Sequence, residues 1–387
     1  MKPSRRVTNI PPSGIRRYFE LAEEADDVIS LGVGEPDFTA PWPIRDAAIT
    51  SLERGQTSYT TNRGLASLRE ELAVYAAQAF DLTYRADDEI LVTTGASEAV
   101  DLALRAVVDP GDRVAIAEPC YLSYRPLLEL LGAEIIAVET RETDAFRLTP
   151  SALEDARAER ADLLVMCYPN NPTGAIMTGS DLEDVAAFAR DHDIGVISDE
   201  IYAALTYDHE HVSIATFPEM RDRTIVVNGF SKAFAMTGFR LGYAMGPAEV
   251  ISAMNRVHQY AMLSAPTTAQ HAAVEGLQSC QSDVESMRRQ YDRRRRFVLA
   301  RFEEMGIPCF EAKGAFYVFP QCPIPDEDEF VERLLREEQV AIVPGYVFGE
   351  AGRGHLRVSY ATGIDQLREA LARIESFVER LNRASVG

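Results

Sequence analysis

Lysine is almost absent from this sequence. The chain of 387 residues contains three lysines, Lys2, Lys232 and Lys313, against 36 arginines. Cysteine is also scarce: its five residues are scattered, odd in number and without CxxC spacing. This pattern excludes a disulfide framework and a zinc site, and it indicates reduced thiols in a cytoplasmic protein. The six histidines form no HExxH motif or similar cluster, so we expect no bound metal.

Long hydrophobic runs are missing as well. The N-terminal Met-Lys-Pro-Ser-Arg-Arg is not followed by the apolar segment of a signal peptide, and no run approaches the roughly 20 residues of a membrane-spanning helix. The chain shows no internal repeat and no low-complexity segment. We therefore expect a cytoplasmic protein without a membrane partner.

Positive charge is outweighed throughout the chain. The formal net charge is −21 and the isoelectric point is about 4.8. A charge of this sign repels nucleic acids and anionic membranes, so neither is an expected partner. Two explanations of the acidic, lysine-poor composition are open. One is a salty cytoplasm, in which screening shortens the range of repulsion; the other is a GC-rich genome that encodes arginine in place of lysine.

The length and the order of the patterns predict an α/β protein. A chain of 387 residues exceeds the roughly 250–300 at which one core stops growing, so we expect two domains. From residue 45 onward, helical patterns alternate with short apolar runs, which predicts a mainly parallel sheet covered by helices on both faces. The predicted buried strands lie at 89–94, 113–117, 134–138, 163–167, 195–198, 224–228 and 241–245.

Both ends of the chain carry further predicted elements. A proline-containing arm is followed by an amphipathic helix at 15–24. The basic run at 293–296 is expected to be the solvated face of a linking helix. Beyond it we predict strands at 315–319, 340–343 and 356–359, and then a terminal helix from 365 to about 381.

Polar residues and glycines follow four of the predicted strands. Gly-Ala-Ser at 95–97 opens a helix, so its amides and serine hydroxyl can bind a phosphate. Pro-Asn-Asn-Pro-Thr-Gly at 169–174, Asp199 and Lys232 follow three other strands. Because ligands bind beyond the carboxyl ends of parallel strands, we expect these four strand ends to form one cleft.

Lys232 lies in an unusual setting for a lysine, among the small and apolar residues of 225–243. Burial favours its neutral amine, because desolvation penalises the ammonium form. A neutral amine can attack an aldehyde and form a Schiff base, which is how lysines hold pyridoxal phosphate (PLP). Arg240 offers a planar cation suited to a phosphate. On this residue alone, a surface lysine in a loop is an equal alternative.

The motifs together resemble those of class I aminotransferases, which are PLP enzymes of fold type I. The chain carries Asn-Asn-Pro-Thr-Gly at 170–174, Ser-Asp-Glu-Ile-Tyr at 198–202, Phe-Ser-Lys-Ala-Phe-Ala-Met-Thr-Gly-Phe-Arg-Leu-Gly at 230–242 and His-Leu-Arg-Val-Ser-Tyr at 355–360. They occur in the family's order and spacing, and the resemblance covers essentially the whole chain.

This resemblance implies an α/β fold with two domains. The large domain would have a mainly parallel seven-stranded sheet between helices, and a smaller α+β domain would be built from both chain ends. The implied division is an N-terminal arm with part of the small domain at 1–44, a large PLP-binding domain at 45–290 and a C-terminal small domain at 291–387.

The resemblance also implies roles for the residues that would hold the coenzyme. Lys232 resembles the Schiff-base lysine, which after release moves a proton between Cα and the coenzyme. Asp199 would pair with the pyridinium nitrogen, and Tyr121 would stack on the ring. Asn171 and Tyr202 match the pair that hydrogen-bonds the phenolic oxygen. The phosphate would be held by Gly95, Ala96, Ser97 and Arg240.

Other implied roles concern the substrate and a second subunit. Arg357 matches the arginine that binds the substrate α-carboxylate in a bidentate manner, a geometry that lysine cannot reproduce. Gly34 would bring backbone close to this carboxylate, and Asn171 would also bind the substrate. Ile15 would cover the pocket. Tyr59 resembles the tyrosine that reaches the phosphate in the neighbouring subunit, which implies a homodimer with shared sites.

The chain departs from the family pattern at three places. Gly229 stands where many relatives have a phosphate-binding serine, and the sequence leaves open whether Ser231 compensates. Tyr124 stands where some aspartate aminotransferases carry a histidine behind the pyridinium aspartate. No arginine occurs near Gln259 and Tyr260, where those enzymes bring a partner arginine to an acidic substrate's second carboxylate.

The resemblance implies an aminotransferase that moves the amino group of an L-amino acid to a 2-oxo acid. We expect 2-oxoglutarate as this acceptor, in a ping-pong cycle. Aspartate or an aromatic amino acid is the preferred donor, and alanine is the alternative. A PLP-dependent C–S β-lyase on the same fold remains open, because the coenzyme-holding residues are shared. A PLP-sensing regulator would need a DNA-binding module, for which the chain has neither spare length nor a basic face.

Overall fold

The structure is a computed structural model that describes residues 1–12, 14–15, 17–18 and 27–385. Most of the helix predicted at 15–24 therefore lies outside the described residues. In chain order the elements are α1 (Arg5–Thr8), β1 (Ile29–Ser30), α2 (Trp42–Glu53), α3 (Ala66–Phe80), β2 (Ile90–Thr93), α4 (Ala96–Val107), β3 (Arg113–Glu118), α5 (Tyr124–Leu131), β4 (Glu134–Glu139), α6 (Pro150–Asp155), β5 (Leu163–Cys167), α7 (Gly179–Asp191), β6 (Gly195–Asp199), β7 (Thr224–Gly229), β8 (Gly242–Met245), α8 (Ala248–Ala261), α9 (Thr267–Ser279), α10 (Gln281–Glu304), β9 (Tyr317–Val318), α11 (Glu327–Glu338), β10 (Val340–Ala341), β11 (Val343–Pro344), β12 (Leu356–Ser359) and α12 (Ile364–Ser385).

A seven-stranded sheet with strand order β2-β8-β7-β6-β5-β3-β4 organises the chain. Only β8 runs antiparallel to its neighbours β2 and β7; the other neighbouring pairs are parallel. The chain returns from β7 to the adjacent β8 through residues 230–241 without a crossover helix, and such a return gives antiparallel pairing. The mainly parallel seven-stranded sheet predicted from the sequence is confirmed.

Helices cover both faces of this sheet, as the continuous apolar strands predicted. On β5, Leu163 and Val165 pack in a cluster with residues of α4, α5 and α8. Leu164 and Met166 point the other way and pack with residues of α6 and α7. Side chains of each strand are therefore buried on both faces of the sheet, so the polar residues of the site lie beyond the strand ends instead.

The parallel register sets that edge. Cys167 of β5 pairs with Asp199 of β6, and Asp199 pairs with Val227 of β7. The carboxyl ends of three neighbouring strands are therefore level. The segments that leave these strands start side by side, and they carry most of the predicted site residues.

The smaller part of the fold joins both ends of the chain. β1, near the N-terminus, pairs in parallel with β10, with Ile29 opposite Val340. β11, β12 and β9 form a separate antiparallel sheet. The small α+β unit built from both chain ends is therefore confirmed, while the domain boundaries at residues 44 and 290 stay a prediction.

Two details of the predicted strands are wrong. The run 340–343 is not one strand, because β10 pairs with β1 whereas β11 pairs with β12 in another sheet. In the run 315–319 only Tyr317 and Val318 form a strand; Ala315 has a φ of 56° and donates its N–H to the carbonyl of Leu205. Both runs are buried and apolar throughout, so composition alone does not show where the pairing changes.

The basic run on α10 is also not simply a solvated face. Arg294 donates to Asp37 at 2.7 Å, and Arg295, only 1% exposed, donates to Asp208 at 2.5 Å. The aliphatic part of an arginine packs well against apolar surface when its guanidinium is paired. Arg296 also donates to Asp208 at 2.9 Å, so three of the four arginines join α10 to neighbouring segments.

No helix in the described part of the chain is both long and apolar enough to cross a membrane. The same residues contain no group of three His, Cys, Asp or Glu side chains that could hold a metal ion.

Candidate active site

A cavity of about 470 Å³ opens at the carboxyl ends of β5, β6 and β7 and at the N-terminus of α4. Its position is the one expected for a ligand site in a parallel sheet. It brings together all but two of the residues predicted for the site. The predicted residues that line the cavity are Ile15, Gly34, Ala96, Ser97, Tyr121, Asn171, Asp199, Tyr202, Lys232, Arg240 and Arg357.

Lys232 lies in the turn that follows β7. Its Nζ donates a hydrogen bond to the carbonyl of Gly34 at 2.7 Å and lies 5.7 Å from the ring centre of Phe316. Although Lys232 faces the cavity, protein surrounds its amine. Burial lowers the pKa of Lys232 to about 8, further helped by Arg357 and opposed mainly by Glu35. The amine can therefore lose its proton close to neutral pH, as predicted from its apolar setting.

Asp199 is the last residue of β6 and is buried. The hydroxyl of Tyr124 donates to its Oδ2 at 2.6 Å, and the N–H of Ile201 donates to its Oδ1 at 3.2 Å. Burial raises the pKa of Asp199 to about 6, although both hydrogen bonds act in the opposite direction. Tyr124 thus lies behind Asp199, at the position where a histidine was noted for some proteins of the resembled family.

The N-terminus of α4 forms a cradle for an anion. Its first amides are free of intrahelical partners, and Arg240 lies beside them. A Cβ on Gly95 would lie 2.7 Å from Nη2 of Arg240. The carboxylate of Glu98 accepts from the N–H of Thr94 at 2.5 Å and from Nδ1 of His258 at 2.8 Å, which fixes the turn from behind. Ser231, left undecided from the sequence, also lines the cavity.

Arg357 is held flat within the cavity wall. Its guanidinium lies 4.7 Å from the ring centres of both Tyr317 and Phe348. Nη1 donates to Oδ1 of Asn171 at 2.9 Å, and Nη2 donates to the carbonyl of Gly32 at 2.5 Å. Among the described residues, the buried Nε has no hydrogen-bond partner. A buried donor left free at a cavity is suited to an acceptor on a ligand.

Sequence reasoning missed several residues of this site. The hydroxyls of Tyr317 and Tyr202 lie 2.9 Å apart, and Tyr317 lines the cavity. Thr237 donates to Glu35 at 2.5 Å, and both also line it. Tyr317 sits in an apolar run with no polar neighbour in sequence, so its composition gave no signal of a site. Glu35 directly follows Gly34 in the sequence but was given no role.

The comparisons with known proteins agree with this geometry. A model of the family "Aminotransferase class I and II" matches residues 26–374. The chain belongs to this family and is an aminotransferase. The protein YugH of Bacillus subtilis is 49% identical over 376 residues, 97% of each chain. The aspartate aminotransferase of Pyrococcus abyssi is 42% identical over 97% of this chain and 98% of its own.

Solved structures are similar over nearly the full length. The aromatic aminotransferase from Pyrococcus horikoshii has a TM-score of 0.90 and 41% identity, covering 94% of this chain and 99% of its own. The fold-type I architecture expected for an aminotransferase of class I is thereby confirmed.

Two predicted residues of the aminotransferase do not line the cavity. Gly95 lies directly behind it, at the N-cap of α4. Tyr59 is elsewhere, with 79% of its surface exposed. Tyr260, in the last turn of α8, is 89% exposed. Beyond α8, the carbonyl of Leu263 accepts a hydrogen bond from Asn62. Both aromatic side chains therefore lie at the surface, outside the cavity lining.

The N-terminal arm reaches the cavity at Ile15. Close by, the hydroxyl of Tyr18 donates to Asp328, and the hydroxyl of Tyr346 donates to the same carboxylate oxygen at 2.9 Å. Tyr18 is 2% exposed. The described part of the arm is thus fastened to α11 and to the segment after β11, and Ile15 lies over the pocket of the aminotransferase.

Proposed function

We propose that this aminotransferase binds PLP through Lys232 and transfers the amino group of an L-amino acid to 2-oxoglutarate in a ping-pong cycle. The observation that carries the proposal is the environment of Lys232. Its amine lies in the cavity with a pKa lowered by burial to about 8, within the same pocket as Arg357. An amine of this kind is a nucleophile for a carbonyl and a base for a proton at neutral pH.

The cavity fits PLP at three separated points. The free amides of α4 and the guanidinium of Arg240 suit its phosphate. The buried carboxylate of Asp199 suits a ring nitrogen that carries a proton, because an opposite charge nearby offsets the cost of burying the carboxylate. Lys232 lies in the same cavity, as an aldehyde anchor requires. We assign these residues to the coenzyme, with Tyr121 as the ring neighbour and Tyr202 and Asn171 at the phenolic oxygen.

When bound, PLP would supply an electron-accepting ring for the electron pair left at the substrate Cα. Asp199 would pair with the ring nitrogen and favour its protonated form, with Tyr124 holding the carboxylate in place. Lys232, once released from the coenzyme, would be the base that takes the proton from the substrate Cα, because its lowered pKa suits neutral pH. Because Lys232 and Arg357 line one cavity, the substrate is held while the proton moves.

Arg357 is the proposed binding residue for the substrate carboxylate. Its guanidinium is fixed by two rings and two hydrogen bonds, and the free Nε–H remains for a ligand oxygen. A donor that is already oriented loses little entropy when the carboxylate binds. Gly34 brings its backbone to the same region, and Ile15 covers it.

The donor amino acid follows from relatives and from the pocket wall. Relatives over most of the chain are named for aspartate or for aromatic amino acids. Val33, Leu122 and Ile15 give the wall an apolar part that suits an aromatic side chain. Aspartate or an aromatic amino acid is therefore the preferred donor, and alanine is the alternative.

A homodimer is part of the proposal. Tyr59 does not line its own cavity and is largely exposed, so its side chain is available to a second subunit. In the proposed dimer it binds the phosphate in the neighbouring site. Light scattering should give twice the mass of one chain, and Tyr59→Phe should weaken PLP binding without changing that mass. A monomer with full activity would contradict shared sites.

A product assay with purified PLP-loaded protein tests the reaction. With aspartate, phenylalanine or alanine and 2-oxoglutarate, glutamate should form at the rate at which the oxo acid of the donor forms. Without 2-oxoglutarate, product should stop after one equivalent per site. Continued release of pyruvate from cysteine or a cysteine conjugate without any acceptor would instead identify a C–S β-lyase. No turnover of any amino acid would contradict the proposal.

A further inference from the structure

Tyr317 contacts both halves of the proposed site with one side chain. Its ring centre lies 4.7 Å from the guanidinium carbon of Arg357, and its hydroxyl lies 2.9 Å from the hydroxyl of Tyr202. Tyr317 is 1% exposed, so its position is fixed by packing. Under the proposed function, Arg357 binds the substrate carboxylate and Tyr202 faces the phenolic oxygen of the coenzyme.

The sheet register explains why Tyr317 meets Arg357. β9 pairs with β12 in an antiparallel manner, with Tyr317 opposite Ser359. Arg357 is two residues from Ser359 and therefore projects from the same face of β12, diagonally across from Tyr317. Diagonal neighbours on one face are within reach of long side chains. The ring is thus placed on the guanidinium by two paired strands.

A glycine keeps space for the hydroxyl of Tyr317. A Cβ on Gly34 would lie 2.2 Å from that oxygen, so a larger residue at position 34 would displace it. The carbonyl of the same glycine accepts the hydrogen bond from Nζ of Lys232. The hydroxyl therefore lies close to the backbone that orients the lysine.

Either hydroxyl of this pair can donate to the other. If Tyr202 donates to the coenzyme, as proposed, its hydrogen bond with Tyr317 must have Tyr317 as the donor. Burial holds the pKa of Tyr202 well above its ordinary value, so its hydroxyl remains protonated and can donate. A hydroxyl that donates to the coenzyme oxygen still has a lone pair that accepts from Tyr317. Accepting this hydrogen bond fixes the direction in which Tyr202 donates, and linked hydroxyls strengthen one another.

From this geometry we propose that Tyr317 is a positioning residue that acts on the coenzyme through Tyr202 and on the substrate through Arg357. Its hydroxyl orients the donor at the phenolic oxygen, and its ring holds the guanidinium in the plane needed for a carboxylate. This inference rests on the proposed function, because it assigns Tyr202 to the coenzyme and Arg357 to the substrate.

Tyr317→Phe separates the two roles, because phenylalanine keeps the ring and removes the hydroxyl. PLP-loaded protein should show a near-visible absorption band whose intensity depends on pH. In Tyr317→Phe the midpoint of this titration should rise by roughly 0.5 to 1 pH unit, because Tyr202 stabilises the ionised phenolic oxygen less well. The KM for the amino donor should stay within about twofold, since the ring remains on Arg357.

Tyr317→Leu removes the ring as well. The KM for the donor should then rise about three- to tenfold in addition to the shift of the titration. Tyr168→Phe is the matched control: Tyr168 is also buried and donates to the carbonyl of Phe146 at 2.9 Å, outside the cavity. Loss of the Tyr168 hydroxyl should leave the titration midpoint unchanged.

A double-variant cycle tests whether Tyr317 acts through Tyr202. Tyr202→Phe should shift the midpoint upward, and adding Tyr317→Phe to it should cause no further shift. Shifts that add independently, or an unchanged midpoint in Tyr317→Phe, would overturn the inference. If wild-type protein with PLP shows no pH-dependent band, the proposed function itself fails, so the two failures are distinguishable.

Discussion

Asp199 and Lys232 are buried, and burial disfavours the charged form of each side chain. The pKa of Asp199 is raised from 3.8 to about 6, and the pKa of Lys232 is lowered from 10.5 to about 8, both mainly by burial. The stability linked to Asp199 is present below pH 4 and is lost as pH rises through 6. That linked to Lys232 is present above pH 10.5 and is lost as pH falls through 8. Between pH 6 and 8, both groups therefore destabilise the coenzyme-free fold.

Asp199→Asn should stabilise the coenzyme-free protein while weakening PLP binding. Asparagine can still accept from Tyr124 but carries no buried charge. A shift of about two pKa units corresponds to roughly 3 kcal/mol, which we take as the upper bound of the gain at pH 7. Thermal unfolding at pH 7 and pH 4 measures it, and the gain should vanish at pH 4.

The control is Asp222→Asn, because the side chain of Asp222 is 84% exposed and forms a weak ion pair with Arg221, at 3.3 Å, within the described part of the chain. Neither stability nor PLP binding should change in this variant. A coenzyme-free Asp199→Asn protein that is less stable than wild type at pH 7 would contradict the assignment.

Arg357→Lys should raise the KM for amino donors about 10- to 100-fold, because one hydrogen bond to a charged group contributes roughly 1.5–3 kcal/mol. A lysine cannot lie flat between Tyr317 and Phe348 while also donating to Asn171. Initial rates with varied donor give the KM, and the absorption band should remain. Arg353→Lys, in which an exposed arginine over Tyr346 is changed, is the control that should leave KM unaltered. An unchanged KM in Arg357→Lys would exclude Arg357 as the carboxylate site.

At the scale of elements, β8 and α4 meet at a contact that admits no side chain. A Cβ on Gly242 would lie 2.4 Å from the backbone nitrogen of Ala96. Gly242→Ala should therefore push β8 from the N-terminus of α4, destabilise the fold by about 1–3 kcal/mol and weaken PLP binding. Gly179→Ala is the control, because a Cβ there meets nothing within 4 Å.

Denaturant unfolding and a PLP titration measure both effects. Equal behaviour of the two alanine variants would show that the contact between β8 and α4 does not shape the proposed phosphate site.

The sequence predicted the elements of the large domain well because each strand shows its own signal. Apolar runs separated by helical patterns gave the seven strands, and the polar residues after them gave the location of the cleft. The antiparallel direction of β8 was not predicted, since a run of five apolar residues carries no direction. The division of 340–343 between two sheets was missed for the same reason, because burial is continuous across it.

Contacts between residues that are distant in sequence could not be predicted from the sequence. Tyr317 meets Arg357 only because β9 and β12 pair with a particular register. Tyr124 was noted as a departure, but its hydrogen bond to Asp199 depends on how α5 lies against β6. The buried arginines of 293–296 were misjudged because their partners, Asp37 and Asp208, are remote in sequence.

At the scale of the whole molecule, the net charge of −21 has two competing explanations, a salty cytoplasm and a GC-rich genome. Excess carboxylates repel one another in the compact state, and salt screens that repulsion. If the composition reflects a salty cytoplasm, the midpoint of unfolding should rise steadily as KCl increases to molar concentrations. A nonionic osmolyte at equal osmolality is the control and should have a smaller effect. A midpoint that does not rise with KCl would favour the GC-rich genome as the explanation.

The absorption spectrum of the purified, PLP-loaded protein in high KCl tests the central claim most directly. We expect a near-visible band that bleaches on addition of aspartate, phenylalanine or alanine and returns on addition of 2-oxoglutarate. The same band should be absent in Lys232→Ala, although Lys2 and Lys313 remain. No band after incubation with PLP, or a band that persists in Lys232→Ala and bleaches normally, would contradict the account.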